Sequence, residues 1–136
     1  MTAPQTRNPS AGIGKIVQMP FDQALEKAQE ALKKEGFGVL TRIDVKATMK
    51  EKLGIDFTPF VILGACNPPL AHKALTREPE IGLLLPCNVV VREVGAGKVR
   101  VEAVNSQAMA SLFPGAGLEE VAGEVNERLT RVIESL

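Results

Sequence analysis

Two Cys-Asn dipeptides, Cys66-Asn67 and Cys87-Asn88, are the residues of this chain best suited to chemistry. A thiol becomes a nucleophile, redox partner or metal ligand once it ionises, and a carboxamide both donates and accepts hydrogen bonds. His72, the only histidine, follows Asn67 by five positions. Cys66, Asn67, His72, Cys87 and Asn88 therefore make one candidate ligand-binding set, able to form either a polar pocket or a thiol-based redox site. The same five also have an architectural reading. Unpaired cysteine packs as a small hydrophobe, Asn beside Pro caps helices and turns, and a lone helical histidine is usually on the surface or a satisfied hydrogen-bonder. No zinc signature is present, because there is neither a Cys-x-x-Cys nor a pair of histidines. No metal is expected, and no catalytic residue or cofactor can be assigned.

For these dipeptides to meet, the strands that carry them must pair. Phe57–Ala65 reads as a strand ending at Cys66, with Pro59 marking either an edge or the beginning of the strand. Asn67-Pro68 then starts a helix, Asn as N-cap and Pro at its first position, with Leu70, Ala71, Ala74 and Leu75 on the buried side. Cys87–Glu93 reads as the next strand. If the two strands run antiparallel, Cys66 and Cys87 come to one edge of the sheet, although 21 positions separate them. The start of the helix after Cys66 can also favour an anion or a thiolate.

The remaining pattern supplies the frame. Ile13–Met19 is a short strand candidate after a flexible lead-in over residues 1–12. From Pro20, the residues Phe21, Ala24, Leu25, Ala28 and Leu32 form one apolar stripe that Gly36 stops. Phe37–Asp44 alternates as a strand, with Phe37, Val39, Thr41 and Ile43 expected on one face. Val45, Met49 and Leu53 give a short helix ended by Gly54. Gly95-Ala96-Gly97 joins Cys87–Glu93 to Lys98–Val104 as a hairpin. Gly12-Ile13-Gly14 lacks the context of a dinucleotide fingerprint and is expected to be a turn. Met109, Leu112 and Phe113 form an apolar patch. A last helix carries Leu118, Val121, Ala122, Val125, Leu129, Val132, Ile133 and Leu136 along one stripe. The expected fold is one α/β (α+β) domain over residues 13–136. It is a two-layer sandwich of about five antiparallel strands backed by two long helices, with short helices between strands.

Composition narrows the functions. The chain has 136 residues, 45% hydrophobic and 24% charged, with 16 basic and 16 acidic side chains. Zero formal charge and the absence of Trp and Tyr speak against a nucleic-acid partner, which needs basic surface and stacking platforms. No segment approaches the ~20 apolar residues of a membrane span, and no secretory h-region precedes Ile13. No membrane partner is expected, and a cytoplasmic location with reduced thiols is.

Three blocks then look familiar: Glu35–Thr48 (EGFGVLTRIDVKAT), Leu63–Ala71 (LGACNPPLA) and Gly82–Val91 (GLLLPCNVVV). In this order they resemble the family called domain of unknown function 302, over nearly the whole chain from Ile13. The resemblance implies a TATA-binding-protein-like fold, a curved antiparallel sheet backed by two helices. It implies no activity. Three functions follow as expectations: a small polar ligand bound at the Cys-Asn edge, thiol redox or metal chemistry at Cys66 and Cys87, or a homodimer formed through the sheet face that the helices leave open.

Overall fold

The structure is a computed structural model and describes residues 11–136. The lead-in expected over residues 1–12 lies outside the described residues except for Ala11 and Gly12, and Gly12 already belongs to the first strand. The elements in chain order are β1 (Gly12–Gln18), α1 (Phe21–Lys34), β2 (Gly38–Asp44), α2 (Val45–Leu53), β3 (Phe60–Cys66) and α3 (Pro68–Arg77). A 3-10 turn over Pro79–Leu84 follows, then β4 (Cys87–Gly95), β5 (Lys98–Val104), α4 (Ser106–Ala110) and α5 (Glu119–Glu134). The strands form one antiparallel sheet in the order β1-β5-β4-β3-β2, with the long helices on one side. This is the expected two-layer α+β arrangement.

Alternation along the strands makes the core. Val61, Leu63 and Ala65 of β3 face the helices beside Val89 and Val91 of β4 and Val99, Val101 and Ala103 of β5. All eight are nearly inaccessible to solvent. Onto them α1 lays Ala24, Leu25, Ala28, Ala31 and Leu32, and α5 lays Val121, Val125, Leu129, Val132 and Ile133. Each fully buried Leu or Val in such a layer contributes about 1.5–3 kcal/mol relative to exposure, so the stripes read from the sequence are also the main source of stability. Each long helix has acidic residues in its first turn and basic residues in its last, in favour of the helix dipole.

Some local expectations do not hold. Between Val39 and Thr41 the β2–β3 register slips, so that Val39 pairs with Ala65 and Thr41 pairs with Gly64. Val39 therefore shares the core face with Ala65, while Thr41 and Ile43 point to the other face. An extra residue in one strand reverses the alternation after it. Gly64 permits the crossing, because a Cβ there would collide with Thr41 Oγ1 and lie 2.7 Å from Pro86 Cγ. Gly12-Ile13-Gly14 is strand rather than turn. A Cβ on Gly14 would come within 2.8 Å of the Val101 carbonyl and 2.9 Å of Glu102 Cβ, so the glycines there let β5 and its Glu102 approach closely. β3 begins at Phe60 and lies between β2 and β4, which makes Pro59 the residue before an interior strand and not an edge marker.

Candidate functional site

β3 and β4 pair antiparallel with Ala65 opposite Cys87 and Gly64 opposite Asn88. Cys66 is thus the diagonal neighbour of Cys87, and the outgoing end of one strand meets the incoming end of the other as the sequence predicts. Beyond that end the backing layer changes. The main core stops, and a second apolar cluster of Ile81, Ala110, Leu118 and Ala122 begins under the 3-10 turn, α4 and the start of α5. Between the two clusters lies a cavity of about 340 Å³, walled by Phe37, Leu70, Ala74, Val121 and Val125 on the main-core side and by the second cluster on the other. Cys66, Asn67, Cys87 and Ser106 also line it, and Leu40 and Leu75, both exposed, lie at its mouth.

The five candidate residues separate here. Cys66 and Cys87 are free, half-buried thiols that line the cavity. Asn67 is buried, and its carboxamide is already engaged. Oδ1 accepts the Leu70 N–H at 3.3 Å as the N-cap of α3, and Nδ2 donates to the Glu35 carbonyl at 3.4 Å. His72 is exposed on the outer side of α3 and does not line the cavity. Asn88 is exposed too, because strand alternation turns it to the open face of the sheet when Cys87 faces the helices.

The Glu35 carbonyl is a small hub. Besides Asn67 it accepts from Arg128 Nη1 at 3.0 Å, while the Glu35 carboxylate pairs with Arg131 at 3.0 Å. The hydrogen bond from Arg131 holds the Glu35 carboxyl below its ordinary pKa, and the charges of Arg131 and Arg128 act in the same direction against the opposing effect of burial. One corner, at the end of α1, thereby ties α3 to α5 beside the cavity. Gly36 takes a left-handed φ of 84° there, and a Cβ on it would lie 2.9 Å from Asn67 Nδ2.

Burial pushes the Cys87 thiol above its ordinary pKa, a hydrogen bond from the Ser106 hydroxyl works against that rise, and the neighbouring charge of Cys66 adds to it. A thiol kept protonated at neutral pH is a poor nucleophile and a poor metal ligand. Among the described residues no three His, Cys, Asp or Glu side chains gather where they can hold a metal ion, and no helix is long and apolar enough to cross a membrane.

Ser106 is the site residue that the sequence reading missed. It is buried and lines the cavity, while its Oγ is shut off from solvent and has no nitrogen or oxygen hydrogen-bond partner. Its backbone is held firmly, since Asn126 Oδ1 accepts the Ser106 N–H at 2.8 Å and Asn126 Nδ2 donates to Asn105 Oδ1 at 2.9 Å. The signal was present as Asn105-Ser106 ahead of Met109 and Ala110, an N-cap before a very short helix.

The comparisons with known proteins agree with this fold. The family model described as domain of unknown function DUF302 matches residues 13–136. A crystal structure of an uncharacterized conserved DUF302 protein from Bacillus stearothermophilus is similar, with a TM-score of 0.82 and 31% identity, over 90% of this chain and 95% of that one. No curated protein matches the chain.

Two outcomes follow from the site. Asn67→Ala removes a cap and a tie between elements and should lower unfolding free energy by about 1–2 kcal/mol in urea titration. Asn88→Ala, on an exposed surface, should change it by no more than about 0.5 kcal/mol. Cys87 has a raised folded-state pKa, so between its unfolded and folded values the unfolded chain is the one that has lost the proton. The stability due to its protonated form is therefore complete below the unfolded pKa and declines as pH rises through the folded one. Iodoacetamide labelling of Cys87, followed by mass spectrometry against pH, should show a midpoint above that of the same cysteine in the denatured chain.

Proposed function

The chain belongs to the DUF302 family, and from that premise we propose that it binds a small, largely apolar molecule in the cavity between its sheet and α3, α4 and α5. The observation that carries this reading is the cavity itself. A half-open cavity of about 340 Å³ at the meeting of two apolar clusters lies within the size range of small-molecule sites, which are concave and mostly apolar. A lining made mostly of Leu, Val, Ala, Ile and Phe side chains favours an apolar body over the small polar ligand that the Cys-Asn pairs alone imply. Thiol chemistry at Cys66 and Cys87 draws less support, because burial of Cys87 favours its protonated form.

Ala71 is half-buried on α3 and lines the cavity, so Ala71→Phe should fill it without disturbing the sheet. In a thermal-shift screen of apolar fragments, a binder at ten times its Kd should raise the wild-type Tm by roughly 3–8 °C and leave Ala71→Phe unmoved. Equal shifts in both proteins would place binding elsewhere and refute the reading.

A second reading has its own observation. On the open face, Ile43, Ile62 and Val90 stand side by side across β2, β3 and β4, with Ile43 48% exposed. An apolar row on an uncovered sheet is a surface for self-association, and a homodimer would cover it. Ile62→Lys should convert a dimer to a monomer in light scattering at high micromolar concentration. A wild type that is already monomeric there would contradict the dimer.

A further inference from the structure

We propose that the cavity takes a single unbranched alkyl chain of about ten carbons and leaves the polar head of that molecule outside in water. This rests on the binding reading above and assigns the chemical class of the ligand, a medium-chain amphiphile held by its tail. The length follows from about 340 Å³ at roughly 30 Å³ for each water-sized group.

The inside of the cavity has no side chain to receive a polar head. No Lys, Arg, His, Asp or Glu is among the lining residues, so a charge carried inward would lie unpaired among apolar walls. The neutral polar side chains there are already engaged. Asn67 is occupied at both ends of its carboxamide. The Ser106 hydroxyl is shut off from solvent and bonds the Cys87 sulfur. Thr41 is exposed and belongs to the mouth, beside Leu40. What is left inside is sulfur, in Cys66, Cys87 and Met109, and sulfur forms only weak hydrogen bonds. A hydroxyl, carbonyl or charge placed there would lose its water and gain no strong partner.

The mouth has the opposite character. The cavity is half-open, so one end of a bound molecule stays in contact with water. Leu40 is 67% and Leu75 40% exposed at that opening, which extends the apolar path to the carbons next to the head. A molecule that arrives through water carries a polar group, and only the opening accommodates one. Because no charged side chain lines it, the mouth does not choose among heads. Aliphatic walls with Phe37 as the single aromatic ring favour methylene groups over a stacking ring.

Straight-chain carboxylates from hexanoate to tetradecanoate, titrated below their micelle concentrations into the full chain by amide NMR, test this. Each added carbon should tighten binding roughly 3- to 4-fold up to about ten carbons, the worth of one buried methylene, and little beyond. 1-Decanol and decyltrimethylammonium should bind within about 3-fold of decanoate, because a head left in water loses no hydration. Ala122→Leu enlarges a buried wall residue and should stay folded while the length limit falls by about two to three carbons. Ala71→Phe should lose decanoate altogether. A free amphiphile and an acylated peptide present the same chain. An N-decanoyl tetrapeptide that binds like decanoate extends the class to acyl groups on proteins, and binding of decanoate alone restricts it to free amphiphiles. Affinity that climbs steadily through tetradecanoate, a limit unmoved in a folded Ala122→Leu, or a preference of ~10-fold or more for one head would overturn the class and leave the binding reading standing. So would apolar fragments that bind where no chain does. Failure of fragments and chains alike would overturn both.

Discussion

The antiparallel register of β3 against β4 is the constraint on which the rest of the site depends. Because Ala65 lies opposite Cys87, Cys66 and Cys87 must be diagonal neighbours, and Asn88 must face away from the helices. A slip of one residue would turn Cys87 outward and bring Asn88 in, since side chains alternate with a period of two. The register is held by Val61, Leu63, Val89 and Val91, all buried against α1 and α5. Exposing that set would cost far more than any interaction at the site could return. The site inherits its geometry from the core.

The cavity arises where this regular packing ends. Helices α1 and α5 cover the centre of the sheet, but the chain crosses the Cys66–Cys87 end through α3, the 3-10 turn and α4, which pack as a cluster of their own. Short elements with few buried residues cannot supply side chains to fill the gap between two clusters, and here Ala71, Ala74, Ala110 and Ala122 stand where larger residues would close it. The corner at Glu35 keeps α3 at its distance, since Asn67 and Arg128 both donate to one carbonyl. The void is thus braced by hydrogen bonds, which explains how it can persist against the tendency of cores to collapse.

Much of this was legible in the sequence. The two apolar stripes predicted α1 and α5 nearly residue by residue, because 3.6-residue periodicity survives over fourteen and sixteen positions. Asn67-Pro68 announced α3, and the order of strands and helices pointed to an antiparallel sheet. Within the site, the meeting of Cys66 with Cys87 was legible because antiparallel pairing of their strands brings those two strand ends together. What escaped depended on departures from regularity. The bulge after Val39 reverses half a strand without a mark in composition, and Gly12 and Gly14 look like turn residues until Glu102 is seen packed against them. α4 is five residues long, too short to show a period. Ser106 could not be found from its type, only from its burial and the lack of a nitrogen or oxygen partner for its Oγ. The roles of Asn67 and Asn88 divided for the same reason: identical residues beside identical cysteines, one at a helix cap and one on an exposed strand face.

A crystal pressurised with xenon tests the central claim most directly, because xenon enters apolar cavities without needing a hydrogen bond. The void predicts a xenon peak bounded by Ala71, Val125 and Ser106, absent from crystals of Ala71→Phe. Side chains closed over that space, or ordered water filling it in place of xenon, would contradict it.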